Sequence, residues 1–438
     1  MAHIVIIGNT LEGLRVIERL TAADPDIRTT VLCGPDERPH EHQRVCDFIG
    51  GRIPLDQFAI EHPFRSEKII VRNSSDEQID RILFKKKEVV LKNKDRVSYD
   101  YLIIAGTDSV ALPAIRGSQK NGVFGLLNFS HVRSILNSLN MTETIVLSTS
   151  SPWGFRAAET LTGWDKEVIV VAPSTDGCPG SVDKETWQEI CHWAEQKNIR
   201  MLDNRMTEIL GDQEVKAIRL DSGKVLACQM VIFPDAPLDL RIFKNSEIMI
   251  DGQIPVKECF LTRCPDVYAL IGIGQSKSIE GMCLGEMVPE VVNQQAALVA
   301  GHIRKETVPA FAPLLRQASI SYNHATIDFI GDTCCREGIS FANIFDGERT
   351  DPACRVFIKH GYIVGAVLFN RPDLKSRMVQ AITQKTLWET GNRDFGGLSV
   401  SPNKLDLPEL RVPDRSGQAV TTGAETPGED LVNDNTAS

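Results

Sequence analysis

The sequence lacks the marks of several protein classes. No apolar run reaches the ~18 residues that cross a bilayer, so no membrane span is expected. The first residues, Met-Ala-His-Ile-Val-Ile-Ile-Gly, show no basic stretch ahead of an apolar one. That argues against a secretory leader, and the cytoplasm is the expected location. Basic residues are in deficit: 48 Lys and Arg stand against 58 Asp and Glu, a formal net charge of −10. An acidic chain without a basic stripe is a poor partner for nucleic acid or anionic lipid. The one basic run, Lys85-Lys86-Lys87, lies in an alternating stretch and reads as a solvated strand edge.

Redox and hydrolytic signatures are missing too. The 11 cysteines include no Cys-x-x-Cys. Their odd number and wide scatter fit reduced thiols rather than a disulfide framework. Neither Cys259 with Cys264 nor the adjacent Cys334 and Cys335 has a zinc or redox spacing. His40, His42 and Cys46 are metal-ligating types, but they read as loop residues near a helix start, and no metal is assigned. Ser148–Ser151 is not a G-x-S-x-G elbow. Cys178, Cys283 and His302 read as inert thiols and a surface residue. No catalytic residue is assigned.

What the sequence does contain is a weak repeat. Residues 3–20 read HIVIIGNTLEGLRVIERL and residues 144–161 read TIVLSTSSPWGFRAAETL. Each is a β-branched run, a turn and an amphipathic helical pattern, the opening of a βαβ unit. In the first helix Leu14, Val16, Ile17 and Leu20 fall largely on one side. Second strands follow at Thr29–Cys33 and Val168–Ala172. Buried closing strands follow at Tyr99–Ala105 and Met230–Pro234. The run from Pro265 to Gly272 leads to a helix near Val288–Ile303. Residues 314–390 form a separate block, with a hairpin of Arg355–Lys359 and Tyr362–Phe369 turned at His360-Gly361. From Asn392 onward aromatics thin out and Gly, Pro, Ser, Thr and Asp dominate, so a largely disordered acidic tail is expected, in which residues 413–438 read as disordered.

The order of these landmarks resembles the pyridine nucleotide–disulfide oxidoreductase superfamily, in particular its rubredoxin reductase and nitrite reductase large-subunit branch. Carrying the resemblance are the Gly8–Gly13 opening, Arg38-Pro39, Gly50-Gly51-Arg52-Ile53-Pro54 and Tyr99–Ala105. The second βαβ opening, Pro265–Ala269 and Val364–Leu368 complete it. It implies an α/β fold with two Rossmann-like dinucleotide-binding-type domains, one inserted in the other, and a C-terminal α+β domain. The expected partition is 1–115 with 245–312 for the FAD-type domain and 116–244 for the inserted NAD(P)-type domain. A C-terminal interface-like domain takes 313–390, and the tail takes 391–438. In such relatives NAD(P)H reduces FAD, which passes electrons to a protein or small acceptor.

The cofactor motifs depart from that pattern. In G-x-G-x-x-G the first glycine makes the turn, the second admits the pyrophosphate and the third lets helix and strand pack. Here Gly8, Asn9, Thr10 and Gly13 form the first turn, so the outer glycines remain and a β-branched residue stands at the pyrophosphate. Glu12, in the first helical turn, can satisfy the dipole itself and opposes a phosphate. The resemblance puts an acid for the adenosine ribose at Cys33 and an Ala-Thr-Gly turn where Ala105-Gly106-Thr107 stands. It also puts an acid for the ribityl chain after Gly272, at Ile273. The second turn reads Thr149, Ser151 and Gly154 at the glycine positions, with Pro152 and Trp153 at the helix start and Ala172 at the ribose acid.

These departures favour a non-catalytic or auxiliary subunit, structural or regulatory, associated with a redox protein or complex. FAD is the cofactor it could retain, and NAD(P) is not expected. The alternative is an atypical FAD-dependent oxidoreductase. It would hold FAD through the Gly8–Gly13 and Gly272 turns with help from Arg38 and receive electrons from a protein donor or NAD(P)H. The C-terminal block resembles a dimerisation domain, so a homodimer is a further expectation.

Overall fold

The computed structural model describes residues 2–401 apart from 36, 61–66, 108, 173–183, 276–288, 310, 312–314, 316, 323–324, 334–337, 346–351 and 389–398. Strand β1 (His3–Ile7) is β-branched almost throughout, and its last four residues are buried. A run apolar on both faces belongs in the middle of a parallel sheet. The sheet order is Val267–Ala269, Tyr101–Ile104, β1, β2 (Arg28–Leu32) and Ile69–Arg72, all parallel. Helix α1 (Leu11–Ala23) buries Leu11, Leu14, Val16, Ile17 and Leu20, the stripe its periodicity predicts. After β2 the chain forms the short helix α2 (Val45–Ile49), which buries Val45, Cys46 and Ile49.

The second parallel sheet has the order Ile199–Leu202, Glu167–Val171, β3 (Thr144–Ser148), Met230–Phe233 and Val123–Gly125. Helix α3 (Pro152–Thr162) follows β3, with Pro152 in its first turn, where a missing N–H leaves no bond unmade. The first sheet takes its edge strand, Val267–Ala269, from beyond the second sheet, so the two units are interleaved in sequence. Helix α4 (Pro289–Ile303) then packs along α1. The expected fold class is the observed one: mixed α/β with parallel sheets and a separate antiparallel sheet.

That third sheet is six-stranded and antiparallel, ordered Gln317–Tyr322, Ala325–Gly331, Tyr362–Phe369, Pro352–Lys359, Ile339–Phe345 and Ser399–Ser401. Its hairpin turns at His360 and Gly361, both at positive φ. Ser399–Ser401 form a strand within the 391–438 tail, which was expected to be largely disordered. Residues 391–398 and 402–438 lie outside the described residues, as do Cys178, Cys283, Cys334 and Cys335.

The basic run differs from its expectation. Phe84–Lys86 form one turn of 3-10 helix and Lys87 is left-handed at φ 52°. Phe84 is buried, which turns the chain inward there, and Lys87 donates to Asp266 at 2.7 Å.

Candidate functional site

At the first turn, Gly8 sits at φ +94°, and a Cβ there would lie 2.6 Å from Gly106 Cα. The backbone of the turn therefore touches the backbone of the segment after Tyr101–Ile104. Thr10 caps α1: its hydroxyl accepts from Gly13 N–H at 3.2 Å and also lies 3.4 Å from the Ala105 carbonyl. Its methyl faces Gly106 so closely that a Cβ on Gly106 would be 2.7 Å from Thr10 Cγ2. The order Ala105-Gly106-Thr107 thus places a glycine where Thr10 needs the space. Asn9 donates to the Glu37 carbonyl at 3.0 Å. Gly13 packs on Ile6 and Ala105, where a Cβ would come within 3.1 and 3.2 Å of their side chains.

The other predicted positions are spread around this turn. Cys33 is buried at the end of β2, with its sulfur 4.0 Å from the Arg72 carbonyl. Arg38 is exposed and lines the mouth of the cavity beside the turn. Gly272 is left-handed at φ 92°, and Ile273 is fully buried with its N–H on the Leu270 carbonyl. Next to them, Gln295 of α4 accepts the Ile271 N–H at 2.7 Å.

The space behind the turn is taken by side chains the sequence did not single out together. A cavity of about 20 Å³ remains between Thr10, Glu12, His40, His42, Arg38 and Gly106, room for about one or two water molecules. Glu12 is only 2% exposed. Burial raises the pKa of its carboxyl, and hydrogen bonds from its own N–H and from Thr10 counter part of that rise. His42 Nε2 lies 3.8 Å from Glu12 Oε1. His40 Nδ1 donates to the Arg38 carbonyl at 2.8 Å, which leaves Nε2 as an acceptor. His40 Nε2 and His42 Nδ1 are buried and have no partner. Burial pulls both imidazoles down to about 4, so both are neutral at pH 7. Against His40 stands an aromatic stack: Phe58 lies 4.9 Å from His40, and Phe48 stacks on Phe58 at 4.4 Å. Cys46 is also buried, and its thiol is pushed up to about 12 by desolvation. Among the described residues, no group of three or more His, Cys, Asp or Glu is placed to hold a metal.

The second turn is built differently. Thr149 and Ser151 are both buried, and Ser151 caps α3 by accepting the Gly154 N–H at 3.0 Å. Both hydroxyls donate to one carboxylate: Thr149 to Asp235 Oδ2 at 2.6 Å and Ser151 to Asp235 Oδ1 at 2.5 Å. A Cβ on Gly154 would fall 1.9 Å from Thr149 Oγ1, so helix and strand meet without clearance. Asp235 follows the strand Met230–Phe233 at the carboxyl end of the sheet, where ligands of open α/β sheets bind. Its position after that strand was the available signal, and the sequence reading passed over it.

Residues 2–272 match the family described as Pyridine nucleotide-disulphide oxidoreductase. The chain belongs to this family. It is 21% identical over 386 residues to the Assimilatory nitrate reductase electron transfer subunit of Bacillus subtilis (strain 168), covering 87% of this chain and 49% of that one. It is 22% identical over 395 residues to Nitrite reductase (NAD(P)H) of the same organism, covering 87% and 47%. The chain thus spans about half the length of the curated relatives it matches. Among solved structures, an NAD-dependent persulfide reductase from A. fulgidus superposes with TM-score 0.72 at 19% identity, over 88% of this chain and 77% of that one. The reductase of a covalent putidaredoxin reductase–putidaredoxin complex superposes with TM-score 0.72 at 15% identity, over 88% and 93%. These likenesses establish the fold. Among the described residues, no helix is long and apolar enough to cross a membrane.

Proposed function

We propose that this chain is an auxiliary member of its family, folded without bound nucleotide, that acts as a structural or regulatory subunit beside redox proteins. One observation carries the reading. The space behind the first turn is filled by Glu12, His40 and His42, leaving about 20 Å³. The residues present do not fit a flavin dinucleotide. Thr10 stands in the pyrophosphate approach, Cys33 offers no carboxylate to a ribose, and Ile273 is apolar and buried where the family places a ribityl-binding acid. Nor do they fit NAD(P). Thr149 and Ser151 already serve Asp235, Pro152 presents no N–H, and Ala172 cannot accept a ribose hydroxyl. Redox proteins as partners are supported by the relatives' names, an electron transfer subunit and a reductase complexed with putidaredoxin. We assign the cofactor-type lobes to 1–115 with 245–312 and to 116–244, the interface-like domain to 313–390 and the tail to 391–438.

The test is the visible spectrum of freshly purified protein, followed by denaturation and analysis of the released supernatant. The reading expects a colourless, cooperatively folding protein that does not oxidise NADH or NADPH with artificial acceptors. The retained left-handed Gly8 turn favours the second reading, an atypical FAD-dependent oxidoreductase. Flavin near one equivalent would establish that reading and sink the first.

A further inference from the structure

We infer that the chain supplies its own phosphate surrogates: the Glu12 carboxyl occupies the anion position of the first turn, and the Asp235 carboxyl that of the second. This rests on the nucleotide-free reading above and names the groups responsible. A helix N-terminus after a parallel strand presents free N–H groups and a positive dipole end, which together bind phosphate oxygens. At α1, a helix of 13 residues, Thr10 takes the Gly13 N–H, and the Glu12 carboxyl in the first turn lies 3.8 Å from His42 Nε2. That carboxyl is 2% exposed, and beside it the partnerless His40 Nε2 and His42 Nδ1 line the residual cavity. The polar lining of a ligand site persists there with an internal acid in place of the ligand.

At α3, a helix of 11 residues, the acid comes from another element. Asp235 reaches across from the loop after Met230–Phe233, and both of its oxygens accept hydroxyl protons from the turn. Ser151 passes the interaction on to the Gly154 N–H. Two turns on two sheets reach the same end by different routes, one acid from inside the helix and one from a facing loop. Each puts carboxyl oxygens where phosphate oxygens would sit. Buried Glu12, whose charged form burial disfavours, excludes a phosphate by filling the space, and the exposed Asp235 carboxylate also repels one by its charge. The excluded class is any ligand entering by a diphosphate, such as a nucleoside diphosphate or a dinucleotide.

The experiment compares the parent with Asp235→Ala, Asp235→Asn and Glu12→Ala by calorimetric titration with ADP and with inorganic pyrophosphate at low ionic strength. Circular dichroism checks that each variant folds. Asp235 is exposed, so its variants keep the test readable even if Glu12→Ala does not fold. The expected result is affinity for both probes at least about tenfold above the parent in Asp235→Ala and Glu12→Ala, with ADP raising Tm only in the variants. Asp235→Asn, which keeps a hydrogen-bond acceptor and loses the charge, is expected to fall between parent and Asp235→Ala. A nucleotide-free parent with folded variants that bind no better would overturn the inference and leave the auxiliary reading standing. A parent carrying stoichiometric FAD would overturn that reading together with the Glu12 half of the inference. Tight binding of NADH by the parent would overturn the Asp235 half.

Discussion

His40 and His42 are buried imidazoles held at about 4, against about 6.5 in an unfolded chain. Between those values the unfolded chain binds more protons than the folded one. Stability is therefore full above about pH 6.5 and falls as pH drops toward 4. Glu12 acts in the opposite sense. Its raised carboxyl adds stability at low pH, and that contribution is lost as pH rises through its folded value. Between pH 7 and pH 5 the histidine contribution is the one lost on acidification. Thermal melts between pH 7 and pH 5 should show Tm falling in the parent and falling less in His40→Phe, which fits beside Phe58. Parallel curves for the two proteins would show that His40 does not titrate as described. A second residue-scale test concerns the Thr10–Gly106 contact at 2.7 Å from a built Cβ. Gly106→Ala should cost about 1–3 kcal/mol by overpacking. Adding Thr10→Ser, which removes the methyl and keeps the capping oxygen, should recover most of it in a double-mutant cycle.

At the scale of elements, periodicity was informative wherever one element buries its own stripe. Strand β1, helix α1, the β3–α3 unit and the hairpin turned at His360-Gly361 were legible because their local pattern and their burial agree. Lys85–Lys87 was misread because buried Phe84, a tertiary contact, decides the turn. Glu12 was placed correctly in the first helical turn, but nothing local reveals that two histidines from the loop after β2 enclose it. Asp235 carries only the weak local signal of standing just after a sheet strand, while its partners Thr149 and Ser151 lie more than eighty positions earlier. The aromatic stack at α2 is likewise a long-range construction. Phe58 is fully buried, and Phe129, which opens the helix Phe129–Ser138 between the strands Val123–Gly125 and Thr144–Ser148 of the second sheet, lies 6.0 Å from it. Phe58→Ala should lower unfolding free energy by about 3–5 kcal/mol in urea titrations. A loss below about 1 kcal/mol would mean the stack is not a unit of the core.

At the scale of the molecule, one buried cluster runs through parts that the sequence presents separately. Val45 and Phe58 beside the first sheet, Leu147 and Trp153 of the second unit, and Phe357 and Val367 of the antiparallel sheet belong to it. An apolar core shared between the parts couples their unfolding, because separating them exposes that surface to water. Calorimetry should therefore give a single transition with coincident circular dichroism and fluorescence melts. Resolved transitions would show that the sheets are energetically independent.

The interleaving of the two parallel sheets sets an order on the ribosome. The strands of the second sheet, through Phe233, all emerge before Val267–Ala269, which among the described residues pairs with the Tyr101–Ile104 side of the first sheet. A nascent chain thus carries a finished inner unit and an incomplete outer one, whose unpaired edge is apolar and open to mispairing. A translational pause between residues 234 and 266 would prolong that interval, and chaperone demand during synthesis would peak there rather than at release.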